Sequence, residues 1–246
     1  MEEEREAMET NMENIEIRNI LNLNFYIGKI GNKKCVMVQS GVGKVNAARA
    51  TQILIDNFKV THIINIGAAA SLNEMLDIGD VVIGKYVDNQ IIEAIQNAIK
   101  NSKNNDYKSK IGVVATGDIF CTEVAMKDKI SAKFDADVVD MECGAVAQVA
   151  YLSNIPFGVI RSVSDKPNGK NEVDFDNNLR KASVRCSEVL VEAIRSFKYL
   201  IFYKICDKII VYFIKRGMFY ERSRYKKRNK NRLVRNFKSL IWRFCE

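Results

Sequence analysis

The sequence has 246 residues, 47% hydrophobic and 28% charged, a globular composition that excludes wholesale disorder and fibrous structure. Its formal net charge is +8, but residues 197–246 hold 15 lysines and arginines against three acids, so the preceding residues carry about −4. One histidine and six scattered cysteines form no zinc-binding or disulfide pattern, so we predict no metal site and a reducing, cytoplasmic location.

Short β-branched runs alternate with helical patterns from residue 25 to 196, which predicts an α/β sheet with helices on its faces. The opening Met1-Glu2-Glu3-Glu4 favours a solvated acidic tail on composition alone. The predicted strands are 24–30, 34–40, 61–67, 80–86, 110–116, 136–141 and 157–164. The predicted helices are 45–58, 89–101, 123–134, 142–153 and 176–197. Strands 61–67 and 157–164 are apolar almost throughout, which is typical of central strands covered on both faces.

A basic, aromatic-rich extension, 198–246, follows the predicted domain 1–197. Its apolar run 199–214 is interrupted by charged residues and is too short to span a bilayer comfortably. Basic and aromatic side chains together can bind phosphates and stack on bases, so contact with nucleic acid or an anionic membrane is one interpretation. We favour the other interpretation, an extension without such a function that is partly helical or disordered.

Three segments at the ends of predicted strands contain groups that can contact a ligand. The glycines of SGVGKVNAA, 40–48, can present backbone amides to an anion, although a tight turn needs glycine in any case. Glu142 follows strand 136–141, where its carboxylate can accept hydrogen bonds from a sugar diol or serve as an ordinary first-turn acid. Asp165 follows strand 157–164 and can be a general acid if burial raises its pKa, or a simple turn residue.

Six segments, taken together and in chain order, are more specific than any one alone. They are SGVGKVNAA, IINIGAAASL, LDIGDVVIG, ATGDIFC, DMECGAVAQVA and IPFGVIRSVSD. The set resembles the bacterial 5′-methylthioadenosine/S-adenosylhomocysteine nucleosidases of the purine nucleoside phosphorylase superfamily, over residues 1 to about 196. The resemblance implies a three-layer α/β sandwich, with a central mixed β-sheet flanked by helices, that assembles as a homodimer.

The resemblance also implies an activity in methionine salvage. Water would cleave the N-glycosidic bond of methylthioadenosine or S-adenosylhomocysteine, releasing adenine and a 5′-thioribose, and the reaction would use no cofactor. Glu142 would hold the ribose hydroxyl groups with Met141 against the sugar, and Asp165 would protonate N7 of the departing adenine. Phe120 would stack on the base, and Phe175 would line the 5′ end. The remaining substrate-binding positions that it implies are Val42, Ala68, Cys121, Asp140 and Ser164.

Hydrolysis also needs a base that activates water on the ribose face opposite the leaving group. In this family the base is the last glutamate of a segment ending G-A-M-E-E-E, and the matching position is Glu4. The family's first strand would precede Met1. The resemblance therefore implies that Glu4 lies on a free terminus, without the fixed geometry that catalysis requires.

Two internal segments also depart from the family pattern. Only KYVDNQ, 85–90, stands where family members have a longer strand and loop over the nucleoside. GAAAS, 67–71, replaces a Gly-Ser-Ala-Gly-Gly turn, so the side chain of Ala68 cannot donate a hydrogen bond. Two alternatives to the nucleosidase stay open: a nucleoside-binding remnant without catalysis, and a phosphorolytic purine nucleoside phosphorylase. The latter needs basic or hydroxyl groups around 41–44 and 67–71, and GAAAS supplies few.

Overall fold

The computed structural model describes residues 2–102, 104, 106–167 and 171–196. The helices within these residues are α1 (Glu2–Glu9), α2 (Lys44–Phe58), α3 (Asn89–Asn101), α4 (Val124–Phe134), α5 (Cys143–Leu152) and α6 (Asn171–Ser196). The strands are β1 (Glu13–Ile20), β2 (Leu23–Ile30), β3 (Lys33–Val38), β4 (Ile63–Ser71), β5 (Val81–Gly84), β6 (Ser109–Gly112), β7 (Val114–Thr116), β8 (Val138–Asp140) and β9 (Phe157–Asp165). The basic extension, 198–246, lies outside the described residues, and its assignment stays a prediction.

Six strands form one mixed sheet in the order β6-β5-β9-β4-β8-β7. Strand β9 is central, parallel to β4 and antiparallel to β5, and all of its residues are buried. Helices α3, α5 and α6 pack directly on strands of this sheet. The predicted α/β fold class, a central mixed sheet flanked by helices, is therefore confirmed, as is the central position of the two most apolar predicted strands.

The prediction of a single strand over 110–116 is wrong. These residues form β6 and β7, which lie at opposite ends of the strand order although only Val113 separates them. The sheet therefore curls until its two edges approach each other. Asp137 stabilises the bend, because its carboxylate accepts hydrogen bonds from the Val113 amide at 3.0 Å and the Lys110 ammonium at 2.5 Å.

A second sheet has three antiparallel strands, β1-β2-β3, and contains the first two predicted strands. Strand β1 is missing from the prediction because ENIEIRNI buries none of its residues fully. Leu21 and Asn22, between β1 and β2, have φ angles of 50° and 61°, as a type I′ hairpin turn requires. Phe25 of this sheet shares one apolar core with Leu54 of α2 and Ile160 of β9, which joins the two sheets.

The N-terminal residues form helix α1 instead of the predicted acidic tail. Arg5 forms ion pairs with Glu2 and Glu9, one turn away on either side, and such pairs stabilise a helix. Met8 is buried, and the Ser187 hydroxyl of α6 donates a hydrogen bond to the Ala7 carbonyl at 2.7 Å. Helix α1 is therefore anchored to the body of the protein.

The other helices agree closely with the prediction. Helices α2 to α5 match their predicted bounds to within one residue at each end. Helix α6 begins at Asn171 instead of residue 176, so that Phe175 lies in its first turns. Within the described ranges, none of these helices combines the length and the apolar character that a membrane span needs.

His62, the only histidine in the sequence, is expected to make the free energy of unfolding depend on pH. It is buried immediately before β4, and burial lowers its pKa to about 4. An unfolded histidine titrates near 6.5, so below that pH the unfolded chain binds a proton that the folded protein does not. We expect the free energy of unfolding to fall by up to about 3 kcal/mol as the pH drops from about 6.5 to about 4.

Urea unfolding at a series of pH values, on the wild type and on His62→Gln, measures this effect. Glutamine is polar and similar in size but does not titrate, so the variant should lose the part of the decline that the histidine causes. If both proteins show the same pH dependence of the free energy of unfolding, the assignment to His62 is wrong.

Candidate active site

One cavity of about 190 Å³ lies where the ends of β3, β4, β8 and β9 come together. Ligands bind beside the carboxyl ends of strands in open α/β sheets, so this is the expected place for a site. Ten of the eleven predicted site residues line the cavity: Glu4, Val42, Ala68, Phe120, Cys121, Asp140, Met141, Glu142, Asp165 and Phe175. The eleventh, Ser164, is buried next to Asp165 and donates a hydrogen bond to its Oδ1 at 2.9 Å.

Glu4 is held in the cavity by helix α1, so the expectation that it lies on a free terminus is wrong. Its Oε1 accepts a hydrogen bond from the backbone N–H of Ala68 at 3.0 Å. The side chain of Ala68 cannot donate a hydrogen bond, but its backbone amide, inside β4, supplies the donor. The carboxylate therefore has a defined position, carried by helix α1 and fixed by a backbone donor of β4.

Gly67 leaves the space that Glu4 occupies. A β-carbon built on Gly67 would overlap the Glu4 carboxylate and lie 2.6 Å from Nη1 of Arg161. The φ angle of Gly67, 157°, is also one that side-chain-bearing residues rarely adopt. The glycine of GAAAS is therefore required by the close approach of the Glu4 and Arg161 side chains.

Arg161 is the site residue that sequence reasoning missed. It is buried in β9 and lines the cavity, and its Nε donates a hydrogen bond to Oδ2 of Asp140 at 3.0 Å. Its Nη2 donates to Asn65 of β4. The signal in the sequence was a charged residue within the apolar run FGVIRSV, because a charge is rarely buried without a partner.

Asp140 holds this arginine in place. Besides Arg161, its carboxylate accepts hydrogen bonds from the Thr116 hydroxyl at 2.6 Å and the Cys143 amide at 2.9 Å. Such full pairing is what makes a buried ion pair tolerable. The predicted contact of Asp140 with substrate stays a prediction, and the structure shows that the carboxylate orients Arg161.

Glu142 is fixed by the glycine turn before α2. Its Oε1 accepts a hydrogen bond from the Gly43 amide at 2.8 Å, and burial raises the pKa of Glu142 although Arg161 and this amide oppose the rise. Gly41 and Gly43 have φ angles of 88° and 93°, which explains the glycines conformationally. The turn thus serves both interpretations of SGVGKVNAA, since it needs glycine and also presents an amide to the site.

Asp165 is the last residue of β9 and is buried in the cavity lining. Burial raises its pKa, while Lys127 and the Ser164 hydroxyl act in the other direction. Its Oδ2 is 3.1 Å from the ammonium nitrogen of Lys127. A carboxyl group whose pKa is raised by burial keeps its proton to a higher pH than an exposed one and is suited to act as an acid.

Two aromatic side chains form the outer wall of the cavity. The rings of Phe120 and Phe175 meet edge to face, with centroids 5.4 Å apart. Phe120 is 40% exposed and Val42, which also lines the cavity, is 56% exposed, so part of the apolar lining is open to solvent. A cavity lined by aromatic and apolar side chains in this way fits a flat, partly apolar ligand.

Comparisons with known proteins agree with this geometry. The family model described as the phosphorylase superfamily matches residues 1–92 and 85–195. A 5′-methylthioadenosine/S-adenosylhomocysteine nucleosidase of Staphylococcus aureus (strain bovine RF122 / ET3-1) is 34% identical over 223 residues, covering 80% of this chain and 96% of the relative.

Solved structures of such enzymes have the same fold. The nucleosidase of Neisseria meningitidis in complex with methylthio-immucillin-A has a TM-score of 0.75 and 30% identity, over 80% of this chain and 96% of that one. The nucleosidase of Colwellia psychrerythraea 34H in complex with adenine has a TM-score of 0.73 and 29% identity, over 78% and 90%. The chain belongs to the phosphorylase superfamily and, within it, to the 5′-methylthioadenosine/S-adenosylhomocysteine nucleosidases.

Proposed function

We propose that this protein hydrolyses the N-glycosidic bond of 5′-methylthioadenosine and S-adenosylhomocysteine, releasing adenine and a 5′-thio-substituted ribose. One observation carries the proposal: the carboxyl groups of Glu4, Glu142 and Asp165 line the same cavity. Glycosidic hydrolysis passes through an oxocarbenium-like sugar and needs a base for water and an acid for the leaving group. Two of these groups serve as base and acid, and the third binds the sugar.

Glu4 is the base. Its carboxylate, held by the Ala68 amide beside the buried charge of Arg161, accepts a proton from the attacking water. Water oxygen bonds to C1′ as the bond from C1′ to N9 breaks and its electron pair moves to the adenine. Arg161 lies beside the same glycine as Glu4, so its positive charge attracts the Glu4 carboxylate.

Asp165 is the acid. It donates its proton to N7 of the adenine, which then leaves as a neutral base. Glu142 accepts hydrogen bonds from the ribose hydroxyl groups, Met141 packs against the sugar, and Phe120 and Phe175 enclose the base and the 5′ substituent. The cavity supplies these roles from its own side chains, without a cofactor.

Incubation of the purified protein with methylthioadenosine, in buffer with and without phosphate, tests the proposal. We expect adenine and methylthioribose, separated by chromatography, at equal rates in both buffers. Product that appears only with phosphate would favour the phosphorolytic alternative. Adenine that binds in calorimetry without any turnover of substrate would favour the nucleoside-binding alternative.

Gly67→Ala should lower kcat for adenine release by about 10²-fold, because a side chain at this position displaces the Glu4 carboxylate and a shift of about 1 Å can cost that much. Gly117→Ala is the matched control, since a β-carbon at Gly117 meets no atom within 4 Å. Steady-state rates and circular dichroism of both variants check the prediction. Equal activity of the two variants would contradict the placement of Glu4.

We also propose that the protein is a homodimer of the cytoplasm. Exposed apolar side chains near the entrance, including Val42, Val45 and Ile119, support an interface there. The four cysteines of the described residues are free thiols, which supports a reducing compartment. Light scattering on the purified protein measures the assembly state.

A further inference from the structure

Helix α4 contains a buried lysine that the mechanism above does not use. Within the fully described helix α4, Lys127 is the only buried residue, whereas Lys129 and Asp128 beside it are exposed. Lysine is almost never fully buried unless it is paired, because removing an ammonium group from water is costly. Lys127 is 1% exposed, so its place in the fold calls for a strong partner.

That partner is the proposed acid. The Lys127 ammonium donates hydrogen bonds to Oδ2 of Asp165 at 3.1 Å and to the carbonyl oxygen of Lys166 at 3.0 Å. The other oxygen of Asp165, Oδ1, accepts the hydrogen bond from Ser164. Each oxygen of the carboxyl group therefore has a protein donor, which fixes its orientation at the cavity wall.

The charged and titratable groups around Asp165 come from four elements. Lys127 of α4 is the cation in direct contact, and Ser164 of β9 is a neutral donor. Asp174 of α6 acts in the opposite direction and favours the protonated form of Asp165. Cys121, in the loop before α4, is a buried thiol whose own pKa is raised by burial, so it stays neutral.

We infer that Lys127 is a positioning residue for Asp165. It holds the Asp165 carboxyl group towards the adenine of the substrate and sets the pH range in which acid-assisted bond cleavage proceeds. The inference rests on the proposed function. When Asp165 gives its proton to N7, it becomes a carboxylate, and the ammonium group 3.1 Å away stabilises that charge. Lys127 itself transfers no proton and touches no substrate.

The sign of the pH effect follows from this arrangement. The reaction needs protonated Asp165, so the rate falls as the pH rises through the pKa of Asp165 in the substrate complex. A cation within about 4 to 6 Å lowers the pKa of a carboxyl group by about 1 to 3 units. Without the cation the pKa of Asp165 rises. The alkaline limb of the pH profile, which is the fall of kcat at high pH, then moves to higher pH, and Asp165 becomes a weaker acid.

The pH profile of kcat for adenine release in Lys127→Met tests the inference. We expect the alkaline limb to move upward by about 1 to 3 pH units and kcat at its optimum to fall at least about 10-fold, with a smaller change in KM. Lys127→Arg, which keeps the charge, should retain most of the wild-type profile, and Lys129→Met is the control on the same helix. Profiles of Lys127→Met and wild type that superimpose would overturn the inference.

A second measurement separates this inference from the proposed function. Titration of ¹³C-labelled aspartate by NMR follows the Asp165 carboxyl carbon without any turnover, and Asp165→Asn identifies its signal. A higher midpoint in Lys127→Met supports the inference, and an unchanged midpoint overturns it. Lys127→Gln replaces the methionine variant in this titration if the latter does not fold. Absence of adenine release by folded wild-type protein would instead overturn the proposed function.

Discussion

Asparagine in place of Asp165 should lower kcat for adenine release by about 10² to 10⁴, the usual contribution of one positioned proton transfer. The amide keeps the shape of the side chain and can still accept the hydrogen bond from Lys127, but it has no proton to give to N7. We expect a much smaller change in KM, because the ribose and the base keep their other contacts. Initial rates over a range of methylthioadenosine concentrations measure both parameters.

The variant also removes the negative partner of a buried lysine, so its folding must be measured with its rate. Breaking a buried ion pair destabilises a protein strongly. Thermal unfolding should show a lower midpoint with an unchanged circular dichroism spectrum at low temperature. Asp128→Asn, an exposed change on α4, serves as the control. A folded Asp165→Asn protein with wild-type kcat would exclude Asp165 as the acid.

The main sheet and most of the site were predictable because their signals are local. Strands such as FGVIRSV are apolar on both faces, and the chemistry-bearing residues follow directly at their ends, where open α/β sheets bind ligands. Glu142 and Asp165 both occupy such positions. Their hydrogen-bond partners were not predictable, because Gly43 lies 99 residues from Glu142 and Lys127 lies 38 residues from Asp165.

The misses have a common physical cause, namely that tertiary contacts decide the outcome where local preference is weak. Three glutamates in succession favour solvent, yet the burial of Met8, the packing of α1 on α6 and the ion pairs of Arg5 make α1 a helix. Strand β1 is mostly polar and two of its isoleucines, Ile15 and Ile20, are only partly buried, so its pairing with β2 decides that it forms. The division of residues 110–116 into β6 and β7 at Val113 depends on Asp137, 24 residues further along the chain, whose carboxylate accepts a hydrogen bond from the Val113 amide.

For Arg161, by contrast, the sequence itself contained the evidence, namely a charged residue within the apolar strand FGVIRSV. A charge inside a central strand cannot face solvent, so it had to face a partner or a site. The structure shows that it does both, through Asp140 and through the cavity that Glu4 enters. A buried charge in an apolar strand should therefore be treated as a candidate site residue from the outset.

Glutamine in place of Glu4 should lower kcat by about 10² to 10⁴ and leave the unfolding midpoint nearly unchanged. The glutamine side-chain oxygen can still accept the hydrogen bond from the backbone N–H of Ala68, and α1 stays anchored through Met8. The glutamine side chain cannot, however, take the proton of the attacking water. Glu3→Gln is the matched control, because Glu3 lies on the same helix and faces a separate groove beside α6. Activity of Glu4→Gln equal to that of Glu3→Gln, in protein with an intact α1, would show that the base is another group. A selective loss in Glu4→Gln would show that a short helix, anchored by a buried methionine and by its contacts with α6, can position a catalytic carboxylate.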